Sequence, residues 1–506
     1  MKKQLLSVIL SAALLTGSIP VCTAFAEEQV MGDVNGDGKL SISDVVMLSR
    51  YAGEDSSVSL TRPANADVNK DGNVDFGDAT AMLRSIARLP MTEENVTKYG
   101  SRNLMEGFKT NQSEEIAYSD AFKESQMDFA VKMLQEASDE NEVNLLVSPI
   151  SAVYALAMTA NGAKENTLAQ MEQVLGSGMD IDELNKYLYT FRSKTTESGK
   201  FSVANGIWYR DQLQGIPFVP QTKFLQTNAD YFGAGAFSAP FNSDTVAEMD
   251  DFINVNTHGM IPEFFGKDFK IPNEAMMYLI NCLAFEDKWA NPYLEGYDTG
   301  KYYFTCHDGT KKLSKMMNGT EWTYLSDDHA AGFIKPYENN EFSFVALLPD
   351  EDTTIDEYVA SLTGEKLMSI LDNRSQEKVY TRMPKFSYDY DITLNDALMN
   401  MGMPEAFDAG KANFDGMDDG LFDLYISRVK QKTHIDVDSE GTKAAAVTVV
   451  EMETGCELDP NPVKHVEPKK VYLDRPFVYM ILDNASNLPM FIGTLMETEE
   501  APINDE

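Results

Sequence analysis

Cysteine is close to absent: the 506 residues contain four, and the first, Cys22, lies in a segment expected to be removed. The remaining three, Cys282, Cys306 and Cys456, admit one bridge at most, so stability has to come from packing rather than a disulfide framework. Histidine is also scarce, with five copies (His258, His307, His329, His434, His465) in dissimilar contexts and none in a nucleophile, metal or acid–base motif. An enzyme is therefore not expected. Positive charge is in deficit. Against 80 Asp and Glu stand 42 Lys and Arg, a net charge of −38, which argues against nucleic acid or an anionic membrane as partner. No apolar run is long enough to cross a bilayer. The longest, Leu5 to Leu15, follows Lys2 and Lys3 and precedes Ala24-Phe25-Ala26, the pattern of a secretion signal cut after Ala26. Val21 is bulky for a lipoprotein site at Cys22, so a secreted, unanchored chain is expected.

What remains is ordinary globular composition, 43% hydrophobic, long enough for more than one core. Asp33-Val-Asn-Gly-Asp-Gly-Lys-Leu-Ser-Ile-Ser-Asp44 reappears 34 residues later as Asp67-Val-Asn-Lys-Asp-Gly-Asn-Val-Asp-Phe-Gly-Asp78. Each copy offers hard oxygens at loop positions one, three, five, seven, nine and twelve. They are Asp33, Asn35, Asp37, the Lys39 carbonyl, Ser41 and Asp44 in the first copy. In the second they are Asp67, Asn69, Asp71, the Asn73 carbonyl, Asp75 and Asp78. Gly38 and Gly72 permit the sharp turn, and oxygen donors at this spacing suit calcium, one ion per loop. Each loop runs into a single helix, through Val45–Tyr51 and Ala79–Leu89. Over residues 31–90 this paired loop-helix repeat, with Asp at position twelve, resembles the dockerin module, a small all-α domain. The resemblance implies docking to a cohesin on a cellulosomal scaffold protein. The candidate contacts are Ile42, Ser43, Ser49, Arg50, Phe76, Gly77, Leu83 and Arg84. The polar stretch 91–118 is expected to be a linker.

From Ser119 onward helical spacing recurs at 120–136, from Pro149 within the run 144–163, and at 167–175, 184–194, 245–257, 355–362 and 394–401. Strand-like runs appear at 201–209, 275–285, 342–348 and 378–386, without regular alternation, so the class is α+β. Several stretches carry a joint identity: NLLVSPISAVYALAMTANGAKENTLAQMEQVLG, VANGIW, INCLAFEDKW, MPKFSYDYDITLNDALMNMGMPEAF, ANFDGM, VDSEGTKAAA, DRPFVYMIL and PMFIGTL. In content and order they resemble a serpin over residues 119–498, leaving 499–506 as an acidic tail. The resemblance implies three β-sheets, eight or nine helices and an exposed reactive-centre loop. In such a fold a protease attacks the loop, and the loop's hinge side inserts as a new strand into the central sheet.

Insertion requires small side chains at alternate positions. Thr442, Ala444, Ala446, Thr448 and Val450 supply them, following Gly441, with Lys443 and Ala445 on the opposite phase. The family spacing places the scissile bond at Gly455–Cys456, with Met452, Thr454 and Cys456 as neighbouring alternatives. A small residue there suits an elastase- or subtilisin-like serine protease. Gly441 and Pro476 are 35 positions apart, about ten more than the family leads one to expect. The resemblance assigns Ser148, Pro149, Ser151 and Asn281 to the shutter of the sheet, and Trp289 to the point where the loop enters. It also marks two departures: Gln431 where a histidine is usual, and Ser439 where a hinge glutamate is common. The expected function is a secreted, scaffold-tethered suicide inhibitor of serine proteases. The alternative is a non-inhibitory serpin serving as a scaffold-bound substrate or structural subunit.

Overall fold

The computed structural model describes residues 30–502, apart from 54, 56, 69–72, 87–96, 106, 107, 109, 112, 138–142, 198, 267, 268, 419 and 443–466. The chain divides into two compact units, Met1–Glu93 and Glu94–Glu506. In the first, helices Ile42–Ala52 and Phe76–Ile86 each follow an acidic loop. Ser41 and Asp44 form a reciprocal cap on the first helix, which satisfies backbone donors that a helix start leaves open. Val45, Leu48, Ala81 and Met82 turn inward onto Val34, Ala66 and Val68 as a small core of their own. Ile42, Val46, Phe76 and Leu83 stay exposed.

The second unit is α+β. Strands Phe477–Asp483 and Leu488–Leu495 are buried along their whole length and pair antiparallel at its centre. Helix Pro149–Ala160 starts with Pro at its first position, where no donor is lost, and buries nearly all its residues beside them. Ten α-helices occur among the described residues where eight or nine were expected; the surplus is short pieces such as Asp415–Asp418. The three expected sheets appear in a different grouping. Strand Lys311–Ser326 is 16 residues long and pairs with Thr299–Thr305, Ala330–Pro336 and Ser375–Pro384, so it fuses two of them into one nine-stranded sheet. The third is parted into two four-stranded halves. One runs Arg102–Asn103, Gly235–Ala239, Phe201–Arg210, Met277–Phe285; the other runs Phe386–Thr393, Lys430–Val437, Gly441–Thr442, Asp287–Lys288.

Residues 97–118 do not behave as the linker expected from their polarity. Arg102 and Asn103 pair with Ser238 and Phe237, adding a strand to the outer sheet edge. Thr97 Oγ1 donates to Glu248 Oε1 at 2.6 Å, and Lys98 pairs with Asp251 at 2.9 Å, both on helix Ser243–Asn256. Further along, Asn111 donates its backbone N–H and its Nδ2 to the two carboxylate oxygens of Asp230, the Ile116 N–H donates to Thr190 Oγ1, and Tyr118 stacks on Phe122 at 5.7 Å. Several of the polar side chains are partnered, though some remain exposed, which composition does not reveal. Glu248 also accepts from Trp208 Nε1 at 3.0 Å in a buried position. Glu248→Leu should therefore strand an indole N–H and cost about 1–3 kcal/mol in thermal unfolding. Lys98→Ala, removing an exposed pair, should leave the midpoint nearly unchanged. At the other end, Ala501 is buried and its N–H donates to the Leu313 carbonyl, so the tail begins against the long strand.

Candidate functional site: a hinge above a divided sheet

Strands Met277–Phe285 and Lys430–Val437 are the inner edges of the two half-sheets, and among the described residues no backbone ladder joins them. Between them lie two small cavities of about 30 and 20 Å³. The first is lined by Ser148, Ser151, Asn281 and Gln431, the second by Leu283, Phe285, Ile435 and Thr442, and Phe491 borders both. The segment after helix Ser243–Asn256 lies across this seam. Lys430 and Lys432 donate to the carbonyls of Phe264 and Glu263 at 3.2 and 2.8 Å, while Asp250 accepts the N–H groups of Phe264 and Phe265. Chain that enters the seam must displace this cover.

The two halves come together at the hinge, where Gly441–Thr442 pairs with Asp287–Lys288, the continuation of Met277–Phe285. Asp438 Oδ1 accepts the N–H groups of Glu440 and Gly441, folding residues 438–441 into a tight turn. The turn's carbonyls are held from the other side: Trp289 Nε1 donates to Asp438, Tyr293 N–H to Ser439 and Trp289 N–H to Glu440, at 2.8–2.9 Å. Gly441 pairs with Lys288, and a Cβ there would lie 2.3 Å from the Asp287 carbonyl oxygen, so glycine is required by the close approach. Thr442 is 3% exposed and its hydroxyl meets the Tyr337 hydroxyl at 2.6 Å. Tyr337 stacks on Trp289 with centroids 4.5 Å apart. Lys335 sits 5.2 Å from the Trp289 ring and 4.3 Å from that of Tyr293, paired to buried Glu321 at 2.9 Å. Burial draws the lysine down and pushes the carboxyl up, each opposed by its partner's charge.

Both departures foreseen in the sequence have visible replacements. Ser439 lacks the carboxylate common at the hinge, and Glu295 brings one from elsewhere: its Oε2 accepts from Ser439 Oγ at 3.1 Å and pairs with Lys385 Nζ at 2.5 Å. The hydrogen bond from Lys385 holds Glu295 below the usual carboxylate range. At the shutter, Gln431 makes a two-point contact with the Ser148 backbone, accepting its N–H and donating to its carbonyl, both at 2.9 Å. Ser148 Oγ donates to the Met490 carbonyl. Asn281 instead bonds Asn205 at 2.6 Å and accepts from Ser151 Oγ. Each strand thus hangs separately on the start of helix Pro149–Ala160, where Pro149 serves as first residue. Gln431→Ala should leave the buried Ser148 N–H and carbonyl without these partners and lower stability by about 1–3 kcal/mol in denaturant unfolding. Glu295, Tyr337 and Lys335 carried no motif in the sequence. The only signal was proximity of Tyr293 and Glu295 to the INCLAFEDKW run.

In the first unit, Asp33 and Asp44 are fully buried. Asp44 accepts from the N–H groups of Val34, Asn35 and Ser41 and from Ser41 Oγ; Asp33 accepts from Gly36, Asp37 and Gly38 and pairs with Arg62 at 2.9 Å. Gly36 and Gly38 have φ of +80° and +87°, the left-handed backbone that curls the loop. Two buried carboxylates beside one arginine suit an added cation, and the donors are all hard oxygens, so the residues fit calcium. Among the described residues no three Asp, Glu, His or Cys side chains already converge as a metal cluster. Asn35, Asp37, Ser41 and the Lys39 carbonyl would complete the coordination. In the second loop Asp78 is buried and accepts from Val68 and Asp75; Asn69 and Asp71 lie outside the described residues. Also outside are Ala444, Ala445, Ala446, Thr448, Val450, Met452, Thr454, Gly455 and Cys456. Cys306 is a buried free thiol.

The profile of the family described as Serpin (serine protease inhibitor) matches residues 124–498, and that of the Dockerin type I domain matches residues 31–87. Serpin B6 of Macaca fascicularis is 30% identical over 397 residues, covering 74% of this chain and 98% of the relative. The leukocyte elastase inhibitor of Homo sapiens is 26% identical over 381 residues, covering 72% and 96%. Among solved structures, the thermophilic serpin tengpin in its native state aligns with a TM-score of 0.71 at 40% identity, over 78% of this chain and 99% of tengpin. The latent state of tengpin aligns at 0.66 and 37%, over 76% and 100%. With a hinge seated above a parted sheet and a repeated acidic loop-helix module ahead of it, the chain belongs to the serpin family and carries an N-terminal dockerin type I domain.

Proposed function

We propose that this serpin is a secreted suicide inhibitor of extracellular serine proteases of elastase- or subtilisin-like specificity, tethered by its dockerin to a cohesin on a cellulosome scaffold. The observation that carries the reading is Thr442. The first member of the small-residue alternation is already buried in the sheet, and the second cavity it lines continues between the strands that would receive the rest. A protease serine attacks the Gly455 carbonyl, the bond to Cys456 breaks, and the Cys456 amine leaves as a new N-terminus. The freed segment 443–455 then zips into the seam from Thr442 downward. Its ladder replaces solvated backbone by paired backbone, and the acyl-enzyme is carried along before water can hydrolyse it.

The dockerin loops would hold one calcium each through the two donor sets named above, supplying the positive charge that buried Asp33, Asp44 and Asp78 call for. Exposed Ile42, Val46, Phe76 and Leu83 on the two helices support a cohesin contact, which needs an apolar centre. Incubation with a subtilisin- or elastase-type protease tests the inhibitory half. A covalent complex stable to denaturing electrophoresis supports it; quantitative cleavage without complex returns the non-inhibitory alternative. Mass spectrometry of the released C-terminal peptide locates the bond among residues 452–456.

A further inference from the structure

The nine-stranded sheet carries a cationic, aromatic face at the end where the chain re-enters it after residues 443–466. Strand Lys469–Tyr472 pairs in parallel with Ser375–Pro384, setting Lys470 beside Tyr380 and Tyr472 beside Arg382. Val379, Thr381, Val471 and Glu321 point inward and are buried, so the outward set is Lys378, Tyr380, Arg382, Lys470 and, on the long strand, Trp322. Trp322 stands at a bulge in the ladder and is 62% exposed. Arg382 is sandwiched between the rings of Tyr302 and Tyr472, 3.6 and 4.6 Å from their centroids, with its Nε on Asn318. Lys378 lies over Tyr380 and Lys469 over Tyr324. Arg382 and Lys378 rest on aromatic rings, whereas Lys469, 3.8 Å from Glu377, stands in register with inward Val379 rather than with this set, and exposed Glu467 is the nearest acid along the chain.

We infer that this face is a docking surface for the acidic rim of the attacking protease, an inference that rests on cleavage within segment 443–466. Chain continuity supplies the first argument: only residues 467 and 468 separate that segment from Lys469. A protease clasping a bond in that segment is tethered, through the chain, to this end of the sheet. Charge supplies the second. The chain carries −38 overall, yet this patch is positive. At physiological salt charges beyond about 8 Å are screened, so the local sign decides what approaches. A neutral polysaccharide is the lesser fit, because the exposed rings are interleaved with cations that such a ligand does not reward.

The test reads the rate at which the loop is cut, which is defined whether the chain traps its protease or is only cleaved by it. The double variant Lys378→Ser, Lys470→Ser is compared with the parent, against an acidic and a basic protease of the same subtilisin-type specificity. Parent and variant should show the same thermal unfolding midpoint. With the acidic protease, the second-order cleavage rate should fall about tenfold and lose most of its salt dependence; with the basic protease it should not fall. Trp322→Ala should slow the acidic protease by a smaller, salt-independent factor. Equal rates for parent and double variant overturn the inference. So does parental binding to insoluble cellulose that Trp322→Ala abolishes while cleavage rates stay unchanged. Rates that shift as expected without any covalent complex would sustain this face and refute inhibition.

Discussion

Thr442→Arg is expected to turn the chain from a trap into a substrate: cleavage by a matched protease continues while the denaturation-stable complex disappears from the gel. The position is 3% exposed, its hydroxyl meets Tyr337, and Trp289 lies stacked behind. An arginine there must bury a guanidinium in this closed site, a penalty of several kcal/mol. The alternative is for the hinge to leave the sheet. In that case insertion starts later, and the acyl-enzyme hydrolyses first. Thr442→Ser keeps size and hydroxyl, and should retain at least half the parental complex. A covalent yield for Thr442→Arg matching the parent's would mean that this residue does not lead the insertion.

Chelation of calcium is expected to destabilise the first unit while leaving the second untouched. Bound ions at about 1,000 times their dissociation constant contribute about 4 kcal/mol, a large share for a core of so few side chains. The signature is a low-temperature transition that vanishes on re-addition of calcium, with the main transition unmoved. Asp37→Ala is the informative variant. Asp37 is exposed and its carboxylate touches only Asn35 and the Lys39 N–H, so its loss should spare the metal-free fold. Calcium affinity of that loop should drop on the order of 100-fold or more, with cohesin binding weakened in parallel. Asp44→Ala should in addition destabilise the metal-free state, because its carboxylate holds four donors. Identical calcium titrations for Asp37→Ala and parent would remove the first loop as an ion site.

The hinge was legible because its constraint is written in consecutive residues. Gly441 meets a close backbone approach and Thr442, the first residue of the alternation, is buried. The repeat loops were legible for the same reason, each donor set being one continuous stretch. The latch around the hinge was not. Glu295, Lys335 and Tyr337 reach it from the return of the chain through other strands, and nothing local marks them. The long strand Lys311–Ser326 also escaped notice. Its burial does not alternate with period two, because it changes partners along its length and carries a bulge between Glu321 and Thr323. The misreading of 97–118 has another cause. Thr97, Asn111 and Glu115 bind the body through hydrogen bonds, and a polar residue that is paired reads in sequence like one that is solvated.

The pairing of Arg102–Asn103 on Gly235–Ala239 bears on the society of molecules as well as on the single one. A sheet edge is a row of open N–H and C=O groups that invites a strand from any neighbour. Here part of that row, at Phe237 and Ser238 of one half-sheet, is occupied by the chain's own backbone, while one border of the separate nine-stranded sheet ends in Lys469 and Lys470, whose like charges discourage a second copy from adding its strand. Under the proposed function, a protein that keeps a seam for its own loop thereby withholds two of its margins from strangers, which would let copies crowded on one scaffold remain separate.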